Sequence, residues 1–429
     1  MIKILFINIA FLLLLFNNVG VAQNDSTTKN IPLKLSEYLF NVSKGNLGYI
    51  AEHFNVTIAE AGVKAAKVFP DPEISFGYSN NQDQTLQMGQ GIETGISYSV
   101  SLGNKRGANI ALSRSQYELS QLTLDEYFCN LRADATLSYF SALKLLKAYK
   151  LQEDTYLQLQ KLASADSIRL SVGDANEIDA MQSALEAKAQ LNQVYQSKSD
   201  MQNAVLSLSH LQGKDLKDTI YTPSEEFPLS AHNFSLPVLI DDALKNKEKI
   251  KIALKNKEVS EKNLRLLKAN RAFEFSIQAG YAYNSVVKNE VAPAPSFHSY
   301  SAGISIPLKF SNINKGAIHS AKFAIDQNET TYLDVEQQLT SDVNQAYNTY
   351  LSQKAQVEHY NQGLIDNAEK ILKGRIYSYQ RGETGLVDVI NAQHTYNDLR
   401  NDFLETQYNY VSALVELERT AAIWDLDMK

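Results

Sequence analysis

Cysteine is nearly absent from this chain, and proline is confined to a few places. The one cysteine among 429 residues, Cys129, excludes a disulfide framework and a four-thiolate metal site. We expect its side chain to be a small buried apolar group. No proline occurs between residues 73 and 222 or after Pro307. Because proline interrupts helices, these two stretches have room for very long helices.

The chain also has little net charge and no clustered catalytic or metal-ligating residues. A net charge of -7 argues against a nucleic-acid partner. No glycine-rich phosphate loop occurs, and no two histidines are spaced to share one helix face. The seven histidines are His53, His210, His232, His298, His319, His359 and His394. We therefore expect no catalytic residues, no cofactor and no bound metal, and a protein that is not an enzyme.

The N-terminus predicts a secretory signal peptide over residues 1–22. Lys3 precedes a run from Ile4 to Phe16 that is apolar apart from Asn8, and small residues lie just before Gln23. This order is typical of a signal peptide cleaved after Ala22. The residue directly after the predicted cleavage site is Gln23 and not cysteine, so we expect no N-terminal lipid anchor. No later run approaches the ~20 apolar residues of a membrane helix.

Four short segments alternate apolar with small polar residues, and this period of two predicts strands. Their apolar positions are Ile74, Phe76 and Tyr78; Ile96, Tyr98, Val100 and Leu102; Phe275, Ile277, Ala279, Tyr281 and Tyr283; and Tyr300, Ala302, Ile304, Ile306 and Leu308. Each segment approaches the ~9–11 residues that a tilted strand needs to cross a bilayer. The alternative is a half-buried sheet in a soluble domain. Serine and glycine on the other face favour a water-filled lumen.

The chain contains two copies of one pattern. Three pairs of residues recur 209 positions apart: Gly107 and Gly316, Gly173 and Gly382, and Asp179 and Asp388. In both copies 65 residues separate the two glycines, which predicts two continuous helices of equal length, each ~100 Å long. Apolar residues at steps near 3.5 in the first copy predict that such helices bundle lengthwise.

Each copy therefore predicts the order helix, strand pair, long helix, tight turn and returning helix. Repeat 1 covers 23–213, with strands at about 73–102 and the turn at Gly173; repeat 2 covers 238–429, with strands at about 274–308 and the turn at Gly382. Residues 214–237 connect them. The leading helices are expected over about Leu35–Phe69 and Val238–Asn270. The predicted fold class is an α+β membrane protein, a long helical coiled-coil barrel with four transmembrane strands per chain.

Four strands cannot close a membrane barrel, because bacterial barrels have at least ~8 strands. An open sheet edge cannot face lipid either. The predicted sheet must therefore close between subunits. Two chains would give eight strands, and three would give twelve.

The order of these elements and the two turns resemble the TolC family of outer-membrane efflux proteins. The resemblance covers essentially the whole mature chain and is most specific in Tyr379–Gln393 and Val172–Gln182. It implies a trimer with a twelve-stranded barrel and a twelve-helix tunnel. Residues 102–107 and 70–73 further resemble segments of the CzcC-like heavy-metal efflux branch.

The resemblance implies a passive duct in the outer membrane that extends into the periplasm. Its implied partners are two further copies of the chain, outer-membrane lipid, a periplasmic adaptor and an inner-membrane pump. Heavy-metal cations are the cargo implied by the CzcC-like branch. The alternatives are a protein-secretion or multidrug duct of the same family, a stand-alone porin, and a structural periplasmic coiled coil.

The resemblance also assigns roles to residues around the turns. Asp388 matches the constriction aspartate, whose three copies would form a cation-favouring ring, and Asn391 replaces a second aspartate. Tyr379 and Asp179 match positions that link helices in the closed state, and Thr384 replaces a basic partner. The tip expected to dock the adaptor comprises Gly173, Ala175, Gly382, Leu386 and Val387. Alternatively, the two aspartates only cap or solubilise the returning helices.

Overall fold

The computed structural model describes residues 29–83, 87–214, 219–230, 232–308 and 314–424. The predicted signal peptide, residues 1–22, lies outside these ranges. The described elements are, in chain order, β1 Lys29–Leu33, α1 Leu35–Gly45, α2 Leu47–Ala66, β2 Glu73–Asn80, β3 Gln90–Ser101, α3 Lys105–Ser171, α4 Glu177–Leu211, β4 Thr219–Pro223, α5 Leu236–Asn246, α6 Glu248–Ala269, β5 Glu274–Asn284, β6 Phe297–Ser305, α7 Lys315–Tyr360, α8 Leu364–Gln380 and α9 Leu386–Ala421. None of the described helices is both long and apolar enough to cross a membrane.

The four predicted strands form one antiparallel sheet in the order β2-β3-β5-β6. The two repeats meet at its centre, where Tyr98 of β3 pairs with Ile277 of β5. On the opposite face the Oγ atoms of Ser99 and Ser276 lie 2.9 Å apart. Strands β2 and β6 form the edges, and both are exposed along their whole length. The alternating sequence therefore identified these strands and both of their faces.

A second, two-stranded sheet was not predicted from the sequence. Strands β1 and β4 pair in parallel, and β4 lies in the segment expected only to connect the repeats. Each strand has five residues, and both contain proline, which weakens the sequence signal of a strand. The hydroxyl of Tyr139 on α3 donates to the Leu33 carbonyl at 2.8 Å. This bond fastens the small sheet to the long helix.

The two leading helices are broken, so the prediction of one continuous helix in each place is wrong. The breaks lie at Asn46, between α1 and α2, and at Lys247, between α5 and α6. Both residues have extended backbone, with ψ of 115° and 128°. The Asn46 side chain accepts a hydrogen bond from the Tyr49 N–H at 2.9 Å and so caps α2.

Only the first of the two predicted long rods is unbroken. Helix α3 has 67 residues and is ~100 Å long. In the second copy a turn interrupts the rod at residues 361–363 and separates α7 from α8. Gly363 has a φ of +90° there, a conformation that glycine adopts at little steric cost. The prediction of a continuous rod is therefore wrong for the second copy.

The main core lies around the middle of α3, where both repeats and the connecting segment meet. Tyr350 of α7 and Tyr410 of α9 are each 1 % exposed in this core. Their hydroxyls donate to the carbonyls of His232 and Ser230, each at 2.8 Å. These bonds fix the connecting segment against the helices of the second repeat.

We expect Tyr350→Phe and Tyr410→Phe each to lower the free energy of unfolding by about 1 kcal/mol, because each removes a buried hydrogen bond to a backbone carbonyl. Denaturant unfolding in detergent followed by circular dichroism measures the change. Tyr195→Phe is the matched control, since Tyr195 is 62 % exposed. Equal loss in all three variants would contradict this account of the connecting segment.

Candidate functional site

Both predicted turns have the same backbone structure. Gly173 and Gly382 have φ of +79° and +72°. After each glycine the next N–H reaches back five residues, from Asp174 to the Arg169 carbonyl at 2.8 Å and from Glu383 to the Ser378 carbonyl at 2.9 Å. This pattern is the Schellman motif, which requires a left-handed residue. The repeated glycines therefore mark two equivalent helix ends.

One contact that joins the two repeats near these turns is between Tyr379 of α8 and Asp166 of α3. The Tyr379 hydroxyl donates to Oδ1 of Asp166 at 2.8 Å. Tyr379 is 6 % exposed and Asp166 is 0 % exposed. Burial and the hydrogen bond to Asp166 raise the pKa of Tyr379 far above its usual value, which keeps the hydroxyl protonated as a donor.

Positive charge lies beside this pair. The guanidinium carbon of Arg169 is 5.2 Å from the centre of the Tyr379 ring. Its Nε lies 3.1 Å from Oδ2 of Asp174, and this hydrogen bond raises the pKa of Arg169. Oδ2 of Asp166 is buried with no hydrogen-bond partner among the described residues. The Asp166 carboxyl is thus held mainly by the Tyr379 hydroxyl.

Asp166 was missed by the sequence analysis, which matched Asp179 to the same linking role. Asp179 is half-buried and its side chain makes no hydrogen bond within the described ranges, although its charge contributes to the raised pKa of Tyr379. A signal for Asp166 does exist in the repeat. At the 209-residue offset, Asp166 corresponds to Arg375 (166 + 209 = 375), so the two copies carry opposite charges there.

Arg375 in turn lies next to Asp388. Nη1 of Arg375 is 4.0 Å from Oδ2 of Asp388, and both side chains are about half exposed. Together with Asn391 they line a cavity of about 340 Å³ between α8 and α9. Asp388 also lies in the first turn of α9, where the helix dipole favours a carboxylate. The carboxylate is therefore partly compensated by a cation of its own chain.

The described residues contain no group of three or more His, Cys, Asp or Glu side chains placed to hold a metal ion.

Residues 239–422 match the family described as "Outer membrane efflux protein". The match covers most of the second repeat. The relationship predicted from the turns is thereby confirmed.

Similarity to known efflux proteins extends over both repeats. The chain is 22 % identical to the cobalt-zinc-cadmium resistance protein CzcC of Cupriavidus metallidurans over 94 % of this chain and 95 % of that protein. It is 20 % identical to the outer membrane protein TolC of Vibrio cholerae over 82 % of each. A crystal structure of CusC has the same fold, with a TM-score of 0.73, 16 % identity, and coverage of 94 % of this chain and 95 % of that one.

The remaining predicted residues lie around the two turns, and the burial of Leu386 contradicts its predicted docking role. Leu386 is 1 % exposed because it packs with Val389 and Ile390 against Tyr379. It cannot belong to a docking surface in this conformation. Val387 is 54 % exposed and remains a candidate.

Three further residues of the predicted tip lie at the surface. Gly173 and Gly382 are exposed, and Ala175 is half-buried. The predicted gate residue Thr384 is different, since its hydroxyl is buried with no hydrogen-bond partner in the part of the chain that the structure describes. The accessible part of the predicted tip is therefore the two glycines, Ala175 and Val387.

We expect Tyr379→Phe to lower the free energy of unfolding by roughly 1–3 kcal/mol, because it leaves the buried Asp166 carboxyl without its donor. Tyr377→Phe is the matched control two residues away, since Tyr377 is 57 % exposed and its hydroxyl accepts from Arg381 at the surface. Hydrogen exchange of the amides around residue 382 should accelerate in Tyr379→Phe alone. Acceleration of similar size in both variants would contradict the proposed role of the contact.

Proposed function

We propose that three copies of this chain form the outer-membrane duct of a tripartite efflux system. The observation that carries the proposal is a four-stranded sheet with two open edges, attached to helices ~100 Å long. Open edges cannot face lipid, because their backbone groups would lack hydrogen-bond partners. Three copies supply twelve strands, which is above the minimum of ~8 for a bacterial barrel.

The exposed side chains of the sheet support a position in the membrane. Phe76 and Tyr300 are 84 % and 83 % exposed, and Ile304 is 68 % exposed. A soluble sheet would bury such a row against a core, whereas lipid is a favourable surrounding for it. The opposite face carries the serines Ser99 and Ser276, which suit a water-filled lumen.

The long helices support the rest of the duct. The chain runs away from the sheet along α3 and returns along α4. In the second copy it runs out along α7 and α8 and returns along α9, so both turns lie at the end of the helices remote from the sheet. We assign the adaptor and the inner-membrane pump to this end, where Val387 and the two turn glycines are exposed. The bond between Tyr379 and Asp166 fastens α8 to α3 and favours a closed tip.

For the cargo we propose divalent metal cations. The relative CzcC is named for resistance to cobalt, zinc and cadmium. A conduit needs weak binding, because tight binding opposes release. Asp388, partly compensated by Arg375, gives a weakly cation-attracting site of this kind. A multidrug or protein-secretion duct of the same family is the other candidate, and it would need no preference for cations.

In planar bilayers we expect Asp388→Asn to lower the preference for cations and Arg375→Gln to raise it. A unit charge ~8 Å from an ion in a water-like dielectric changes its energy by about 0.5 kcal/mol, which is roughly twofold in the permeability ratio. Reversal potentials in a salt gradient measure this ratio.

Lys373→Gln is the control for Arg375→Gln, because it removes the same charge from the same helix. Lys373 forms an ion pair with Glu369 at 2.6 Å and lines a different cavity, beside Tyr379. An equal shift in the Lys373 and Arg375 variants would exclude a local effect at Asp388. A trimer without measurable conductance would exclude the duct.

A further inference from the structure

The contact between the two repeats within one chain provides a template for the contact between two chains. This inference rests on the proposed function, in which copies of the chain close one barrel. Within the chain, β3 of repeat 1 pairs with β5 of repeat 2, and Ser101 lies opposite Glu274. The ladder continues one step further, since the Leu102 N–H donates to the Phe273 carbonyl at 3.2 Å.

An ion pair closes this internal junction. Nζ of Lys105, the first residue of α3, lies 2.7 Å from Oε1 of Glu274, the first residue of β5. Lys105 follows Asn104, which has left-handed backbone with a φ of +56°. The junction therefore combines a fixed strand register with an ion pair between the first residue of α3 and the first residue of β5.

The outer strands carry counterparts of residues at this junction. Glu73 begins β2 as Glu274 begins β5, which gives an offset of 201 positions (274 − 73 = 201). Ser75 and Ser276 share that offset, and they pair with Gly95 and Ser305. Strands β3 and β6 therefore correspond at an offset of 210 (305 − 95 = 210).

The same offset of 210 relates the starts of the long helices. Asn314 has a left-handed φ of +55° and corresponds to Asn104 (314 − 104 = 210). The next residue is Lys315, which corresponds to Lys105 and likewise begins a long helix. The equivalence thus extends beyond the strands to the first residue of each long helix, after which the offset falls to the 209 that relates Gly107 to Gly316.

These offsets fix a register between chains. The numbers of two paired residues in β3 and β5 always add to 375 (101 + 274). Replacing β3 by β6 adds 210, and replacing β5 by β2 subtracts 201. The numbers of paired residues in β6 and in β2 of the next copy should therefore add to 384 (375 + 210 − 201). We infer that β6 pairs with β2 of the next copy in this register, and that Lys315 forms an ion pair with Glu73 of that copy. The ion pair is the inter-chain equivalent of Lys105 with Glu274.

Side-chain chemistry, which did not enter the arithmetic, agrees with this register. It places Leu308 and Ile306, which follow the end of β6, opposite Phe76 and Tyr78, and all four side chains are at least half exposed in the single chain. It places Ser305 opposite Ser79 on the other face. A slip by one residue would set apolar side chains against the polar face along the whole junction.

The charges at this junction also lack partners within one chain. Lys315 and Glu73 are exposed, and neither side chain has an ion pair or hydrogen bond within the described ranges. Their equivalents Lys105 and Glu274 are paired at 2.7 Å. A neighbouring copy in the inferred register supplies the missing partner to both.

Cysteine cross-linking tests the register in the full-length protein with Cys129 replaced by serine. The double variant Ser79→Cys/Ser305→Cys, treated with a short thiol cross-linker in the outer membrane, should give a covalent trimer on a denaturing gel. Ser79→Cys/Ser301→Cys is the matched control, because Ser301 lies on the same face four residues, or ~13 Å, further along β6. We expect at least tenfold less trimer from the control.

A charge exchange tests the ion pair. Lys315→Glu and Glu73→Lys should each lower the temperature at which the trimer dissociates in detergent, and the double variant Lys315→Glu/Glu73→Lys should restore it. Lys105→Glu and Glu274→Lys are the intrachain comparison. An additive loss in the double variant would overturn the ion pair.

The outcomes separate this inference from the proposed function. A conducting trimer that cross-links through Ser301 rather than Ser305 would overturn the inferred register and leave the duct intact. A protein that forms no trimer and conducts no ions would overturn both. Covalent trimers through Ser79 and Ser305, with rescue by the charge exchange, would establish the register and the ion pair together.

Discussion

In the proposed duct the structure depends on one constraint: every backbone N–H and C=O of a sheet that faces lipid needs a hydrogen-bond partner. Within the chain, β3 and β5 satisfy each other, but β2 and β6 each have one free edge. A strand edge in hydrocarbon costs several kcal/mol for each unsatisfied group. Assembly is therefore a condition for inserting this sheet in a membrane, and the internal duplication supplies the geometry.

Duplication also explains why the helices match in length. The first rod has 67 residues, and α7 to α8 cover Lys315–Gln380. If both rods start at the sheet and end at a Schellman turn, equal length brings Gly173 and Gly382 to the same level. The break at Gly363 keeps this length while interrupting the hydrogen-bond ladder, so α8 is not rigidly continuous with α7.

The sequence was sufficient for those features that depend on a local period. The strands were predicted because successive side chains alternate between an apolar face and a polar face. The turns were predicted because glycine readily adopts the positive φ that they need. The breaks at Asn46 and Lys247 could not be predicted, since neither residue is a strong helix breaker and tertiary packing decides there. The bond from Tyr379 to Asp166 joins residues 213 positions apart, which no local pattern encodes.

One departure from the repeat lies near the tip. At equivalent positions the first copy has the acid Asp166 and the second the base Arg375, and their partners differ accordingly. Asp166 binds Tyr379 across the repeats, whereas Arg375 faces Asp388 beyond its own turn. Both contacts involve α8, the one segment that a left-handed glycine separates from the rest of its rod. If the two repeats were identical here, both helix hairpins would make the same contact. Because the charges are opposite, the two contacts differ, and α8 takes part in both of them.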